Sequence, residues 1–260
     1  MRTVNDTFQG GLAAYWQRVE TGSGVLEPGA GTLRLVNASP DAQHYSNAQI
    51  DDYRYLARSR FPWRPPLSLT VRARYSHEQP AGTAGFGFWN EPFMTVGFRP
   101  PAFPQVLWFF HASPPSDMPL AMGVPGWGWK AAMLDATRLP FPLLFPLGPL
   151  AIPFLRAPAL YRRLWPLAQR LMHVAEAPIR SSMADWHSYR IDWGITAARF
   201  SVDDEVVLST GTPPQGPLGL VIWLDNRYLI ATPQGRLRWG LLASPERQWL
   251  ELDEVRAVSL

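Results

Sequence analysis

Residues 185–193, D-W-H-S-Y-R-I-D-W, set large side chains (Trp186, Tyr189, Ile191, Trp193) among polar ones in near-strict alternation, a pattern that fits a half-buried β-strand and no helix. About a strand later, R-F-S-V-D-D-E-V-V at 199–207 repeats the alternation around an Asp-Asp turn. The same period of two runs through 67–75, where Leu67, Leu69, Val71 and Ala73 take one face and Arg72 and Arg74 the other. Further short runs lie at 82–93, 104–111, 217–228, 235–240 and 248–258, with Gly, Pro, Asn and Asp between them. Strands repeating at this short spacing predict an all-β protein built as a two-sheet antiparallel sandwich.

At 260 residues the chain is expected to form one sandwich domain, 1–260, with an insertion at 115–183. Hydrophobic residues make up 47% and charged residues 17%, which leaves ample material for a core and argues against disorder. Cysteine is absent, so neither disulfides nor thiolate chemistry is available. Lys130 is the single lysine, and the formal net charge of +3 is therefore carried almost wholly by arginine. There is no basic stripe with interleaved aromatics and no zinc or helix-turn-helix motif, so no nucleic-acid partner is expected. The opening M-R-T-V-N-D-T-F has no apolar signal core, and a cytoplasmic location, peripheral to the membrane at most, is expected.

Within the insertion, 139–155 is uncharged for 17 residues, yet Pro140, Pro142, Pro146, Pro149 and Pro153 rule out a regular membrane-spanning helix. Residues 158–177 predict an amphipathic helix, with Leu160, Leu164, Leu167, Leu171 and Val174 on one face, Arg163, Arg170 and His173 opposite, and a bend or break at Pro166. Two readings stay open: an apolar cap folded back on the sandwich, or a lid or membrane-surface element whose arginines suit an anionic interface through 139–177.

The hairpin beginning D-W-H-S-Y-R-I-D-W resembles the F-H-x-Y-x-x-E-W…W-x-V-D-G hairpin of concanavalin A-like glucanases, above all the laminarinase and lichenase group of glycoside hydrolase family sixteen. The resemblance implies a concanavalin A-like jelly roll with its active site on one concave sheet. It also matches G-F-G-F-W (85–89) and P-Q-V-L-W-F-F-H (104–111) to the family's G-x-W-P-A-F-W and E-x-D-x-x-E strands. Retaining hydrolysis needs two carboxyl groups about 5–5.5 Å apart. Here one face of the strand offers Gln105, Leu107, Phe109 and His111 and the other Val106, Trp108 and Phe110, so the acids are missing in either register. By the same resemblance, Asp253 in L-E-L-D-E-V-R-A matches an Asp that helps bind a structural calcium, and Tyr45, Asn47, Gln49, Asp51 and Asp52 match a segment near the sugar cleft. Those five residues are equally the vocabulary of a solvated loop.

Among candidate catalytic groups, Glu91 in W-N-E-P-F is a substitute acid or a turn residue, and His111 a proton shuttle or a structural histidine. Asp225, Asn226 and Tyr228 end a Trp-rich strand, where they could orient a ligand or simply turn the chain. No nucleotide-binding, zinc-protease or serine-hydrolase motif occurs, and no cofactor is expected beyond that calcium. With the acids gone and the insertion apolar, the leading expectation is a pocket walled by Trp89, Trp108, Phe110 and Trp223 that binds a terpenoid, polyketide or acyl compound. Isomerisation, cyclisation or hydration by acid/base chemistry would be the reaction, if there is one. The alternative is a carbohydrate-active protein, either a divergent glycosidase or a lectin-like module.

Overall fold

The computed structural model describes residues 2–92 and 99–260. In chain order the strands are β1 (Thr3–Asp6), β2 (Gln17–Thr21), β3 (Gly24–Pro28), β4 (Leu33–Asn37), β5 (Asn47–Asp51), β6 (Leu67–Tyr75), β7 (Thr83–Trp89), β8 (Gln105–Ala112) and β9 (Gly128–Asp135). Three helices follow, α1 (Phe141–Leu144), α2 (Gly148–Leu155) and α3 (Pro158–Leu171). The chain then continues through β10 (Ala175–Pro178), β11 (His187–Trp193), β12 (Ala197–Val202), β13 (Glu205–Gly211), β14 (Gly219–Asp225), β15 (Arg227–Ala231), β16 (Leu237–Leu241) and β17 (Gln248–Ser259).

Two antiparallel sheets result. One runs β13-β12-β11-β6-β17-β4-β3, with β1 also paired to β17; the other runs β10-β9-β8-β7-β14-β5-β2. This is the two-sheet antiparallel sandwich that the alternating strands predict, with the concanavalin A-like jelly-roll architecture that the resemblance implies. The hairpin that announced it is β11–β12, closed onto β13 by Asp203 and Asp204, both at positive φ as a tight hairpin turn requires. Tyr189 and Trp193 point into the interlayer space and meet the second sheet there. Tyr189 lies 5.1 Å from Phe86 and 5.2 Å from Phe109, and Trp193 5.3 Å from Phe88, measured between ring centroids. Rings in tilted contact at these distances add specific attraction to the apolar area they remove from water.

Two strands of the second sheet, β9 and β10, lie inside the 115–183 stretch, so the departure from sheet structure is the shorter run 136–174. The predicted helix starts at Pro158 but stops at Leu171; Val174 precedes β10, whose Ala175 pairs with Met133. Pro166 does not split it. Upstream, the prolines give short helical pieces in place of one helix. Pro142 and Pro149 sit in first turns, where a missing N–H costs nothing, and Pro153 lies within α2. No helix among the described residues is long and apolar enough to cross a membrane.

Candidate functional site: the outer face of the seven-stranded sheet

Alternation along β7, β8 and β14 sends Phe86, Phe88, Leu107, Phe109, Ile222 and Leu224 into the core. The intervening positions face outward and build a second cluster, in which buried Tyr53, Val221 and Trp223 pack with partly exposed Trp89, Trp108 and Phe110. Glycine makes the aromatic strip compact. Gly85 is paired with Trp223 on one side and Phe110 on the other, and Gly87 with Trp108. A Cβ at Gly85 would lie 3.0 Å from the Trp223 ring, and one at Gly87 2.6 Å from Trp108 Cα. With no side chain between them, the Trp108 and Trp223 rings close to 5.4 Å, and Phe110 stacks on Trp108 at 5.3 Å.

Polar groups fix these rings. The Trp223 indole N–H donates to Thr83 Oγ1 at 3.0 Å, and Thr83 donates to Asp225 Oδ1 at 2.7 Å. Trp89 Nε1 donates to the Tyr53 hydroxyl at 2.5 Å. The Tyr53 hydroxyl is held protonated by burial, with the Asp51 carboxylate adding to the shift. Beside the strip, β5 presents Asn47, Gln49 and Asp51 on the same face as Trp223, since Gln49 is paired with Trp223 and Asn47 with Asp225. Gln49 donates to Asp51 Oδ2 at 2.8 Å, and Asn47 Oδ1 has no partner among the described residues. Burial raises the pKa of Asp51 and Asp225, opposed by the side-chain hydrogen bonds from Gln49 and Thr83 respectively.

The structure thus brings together Trp89, Trp108, Phe110, Trp223, Asn47, Gln49 and Asp225. It does not bring His111 with them. His111 is buried on the core side of β8, where its Nε2 meets the Pro80 carbonyl at 2.9 Å. Glu91 is fully buried in the loop after β7, its carboxylate 2.8 Å from Arg99, whose guanidinium also donates to the Leu56 and Tyr53 carbonyls. Phe93, the end of W-N-E-P-F, lies outside the described residues. Asn226 is a loop clamp, accepting from Ser46 N–H and donating to the carbonyls of Asp41, His44 and Leu242. Tyr228 lies in the β15–β16 hairpin over Gly240. Tyr45 reaches Asp225 at 3.4 Å, and Asp52 accepts from Trp63 and Leu220. Asp253 is paired with Arg72, and no group of three or more His, Asp or Glu side chains among the described residues is placed to hold a metal ion. A guanidinium beside a lone carboxylate does not fit the oxygen-rich shell that calcium takes.

Tyr53 and Thr83 were not singled out in the sequence. Both follow from parity, as Tyr53 continues the outward series of Asn47, Gln49 and Asp51, and Thr83 opens the outward series of β7. A buried ion pair on the same face, Lys130 to Glu176 at 2.6 Å, had no sequence signal, because its members are 46 positions apart on neighbouring strands.

No carboxylate stands on the outward face of β8, which offers Val106, Trp108 and Phe110. Asp225 stands apart from Asp51 and Glu91. Asp51 is paired with Val221, four residues from Asp225, which at about 3.3 Å per residue separates the two by about 13 Å. Glu91 lies beyond the Trp89 end of β7, and Asp225 is paired with Thr83 at the opposite end, about 20 Å away on the same measure.

Architecture and site define a two-sheet, concanavalin A-like sandwich whose seven-stranded sheet carries aromatic side chains on its outer face. No family model and no curated protein matches the sequence. Solved structures match along its whole length. A lichenase, a β-1,3-1,4-glucanase from a mouse hindgut metagenome, superimposes with a TM-score of 0.55 at 12% identity, covering 100% of both chains. An immunostimulatory antigen and pseudo β-1,3-glucanase of Mycobacterium tuberculosis gives 0.54 at 11%, covering 99% of this chain and 98% of its own. The carbohydrate recognition domain of Emp47p gives 0.52 at 12%, covering 99% and 94%.

These likenesses correct the expectation of a lipophilic ligand handled by acid/base chemistry, since the matched proteins are described by glycans they cleave or recognise. The geometry agrees with the correction. The helices that were to roof a pocket make hydrogen bonds and ring contacts with Phe103, Leu120 and Gln234, in the loops flanking β8 and in the β15–β16 turn. Two hollows, of about 190 and 420 Å³, are lined by neither Trp108 nor Trp223; one lies by Trp16 and Leu26, the other by Ile179 and Asp203.

Proposed function

We propose that the protein recognises a carbohydrate on the outer face of the seven-stranded sheet in the manner of a lectin, by ring stacking and not by paired-acid hydrolysis. The observation that carries this reading is the strip Trp89, Trp108, Phe110 and Trp223 flanked by Asn47, Gln49 and Asp51. A pyranose has an apolar C–H face that packs on an indole and a rim of hydroxyls that needs donors and acceptors beside it. Partly exposed Gln49, paired with Trp223 across the strands, supplies one such group. The glycan-directed descriptions of the matched structures support the same reading, and the aromatic outward face of β8 favours binding over cleavage.

The test is a panel of gluco-, galacto- and amino-sugar oligosaccharides titrated calorimetrically into the full chain and into Trp108→Leu, which keeps apolar bulk but removes the indole face. Binding of at least one class, weakened several-fold to about tenfold in the variant, is expected, since the specific contribution of an aromatic ring contact is about 0.5–1.5 kcal/mol beyond the area it buries. Failure of the whole panel, or equal affinity in the variant, would refute the proposal.

A further inference from the structure

The helical segment is built inside out. α3 is fastened to the body through Trp165 Nε1 and Gln169 Nε2, which both donate to the Leu120 carbonyl, at 3.2 and 2.6 Å. At 3.6 residues per turn these two lie roughly 140° and 180° around the helix from Leu160. Leu160, Leu164 and Leu167, which share one stripe, therefore point away from the anchoring side, and they are 39%, 38% and 55% exposed. α2 and the turn before it continue the surface, with Leu147, Leu150 and Phe154 each more than half exposed. Water-soluble surfaces scatter such residues singly; here ten of the nineteen large apolar side chains exposed among the described residues fall within 139–167.

A second element joins the patch from far away in sequence. The turn of the β15–β16 hairpin touches α2, where Arg156 Nε donates to the Gln234 carbonyl and Ile152 lies against Gly235. That hairpin exposes Leu237 and Trp239 at 68% and 70%, beside exposed Arg236 and Arg238. The charge is one-sided. Between Asp135 and Glu176 there is no acidic residue but five arginines, in a chain whose net charge is only +3. Arg163 and Arg170 lie roughly 60° and 80° to one side of Leu160, bordering the leucine stripe rather than opposite it as the sequence pattern suggests, and from there long stems lie along apolar surface and the guanidinium reaches out to phosphate.

We infer that this face, formed by α1–α3 and the β15–β16 hairpin, docks on an anionic lipid bilayer, lying in the headgroup region without crossing it. Leu, Phe and Trp side chains would enter the acyl boundary while the arginines meet lipid phosphates, the arrangement of interfacial amphipathic helices. Anionic lipid is the occupant selected by the unpaired arginines of the patch: Arg138 and Arg236 are paired with Asp135 and Asp117, but exposed Arg162, Arg163 and Arg170 form no ion pair among the described residues, and a second copy of this chain would set them against one another.

The experiment is sedimentation of the full chain with vesicles of phosphatidylcholine alone and with about 30% phosphatidylglycerol. Expected is binding to the anionic vesicles about tenfold stronger than to the neutral ones, falling as salt is raised. Leu147→Ser/Leu150→Ser/Phe154→Ser, at sites too exposed to matter for folding, should weaken binding about tenfold, and Trp239→Ser should weaken it from the other element. Circular dichroism confirms that each variant is folded. Folded protein that ignores both vesicles, or that binds them equally, overturns the inference. So does a dimer in sedimentation velocity that the triple variant dissolves without any change in lipid binding.

Discussion

His111 provides a sharp test of the packing on the core side of β8. Its Nε2 donates to the Pro80 carbonyl, and its Nδ1 has no partner among the described residues. Protonation would place a second N–H there with no acceptor, in a site that burial has stripped of water and with the Lys130 charge nearby, so the pKa is pushed down to about 4. The folded state thus refuses a proton that the unfolded state takes up near 6.5. This group's contribution to stability is present above pH 6.5 and is lost as pH falls through 4. By linkage, the loss is roughly 2 kcal/mol between pH 7 and pH 5 and roughly 3 kcal/mol by pH 4. Asp52 titrates over the same window with the opposite sign. Burial raises it to about 6, so the folded state keeps a proton that the unfolded state has released, and that group adds stability as pH falls. The wild-type profile is therefore flattened by cancellation, and the difference between wild type and His111→Gln isolates the imidazole. Urea unfolding of both proteins at pH 7, 6 and 5 should show the variant, less stable at pH 7, gaining on wild type by roughly 2 kcal/mol. A difference independent of pH would refute a buried neutral imidazole and would restore His111 as a group titrating near neutrality.

Lys130→Met strands the Glu176 carboxylate, both side chains being buried to within 2%, and should cost about 3–5 kcal/mol in urea unfolding. Lys130→Met/Glu176→Leu should recover most of that loss; a double variant no better than the single would contradict the ion-pair account. Asn226→Ala removes four hydrogen bonds that tie the 41–46 loop to β14 and to residue 242, with an expected cost of about 2–4 kcal/mol. A change below about 0.5 kcal/mol would show that the clamp is dispensable.

The fold was legible because a sheet residue's face is set by parity alone. Tyr189, Ile191 and Trp193 could be placed together from sequence, and so could Trp108 with Phe110 against Leu107 with Phe109. Which of the two faces meets the other sheet could not be read, because both faces of β8 are apolar; the contacts of Phe109 with Tyr189 and Phe200 across the layers decide it, and His111 shares that face. The same limit applied to the insertion. Hydrophobic periodicity locates the stripe Leu160, Leu164 and Leu167 but carries no information about whether the stripe is covered, and the usual expectation that it faces a core fails here because Trp165 and Gln169 make the anchoring contacts. β9 escaped notice because G-W-K-A-A-M-L-D alternates weakly, its outward Lys130 being matched by a partner strand beyond the helices. Glu91 looked like a free acid on a turn, whereas its partner Arg99 is eight residues further on and belongs to no strand pattern.

The central claim, that the aromatic outer face of the seven-stranded sheet holds a glycan, is tested most directly by the indole N–H signals of the twelve tryptophans during titration with a bound oligosaccharide. The account predicts that the signals of Trp89, Trp108 and Trp223, assigned by single substitutions, shift together and saturably while those of buried Trp16, Trp63 and Trp193 stay in place. Shifts confined to Trp127 or Trp239, or no saturable shift at Trp108 and Trp223, would contradict it.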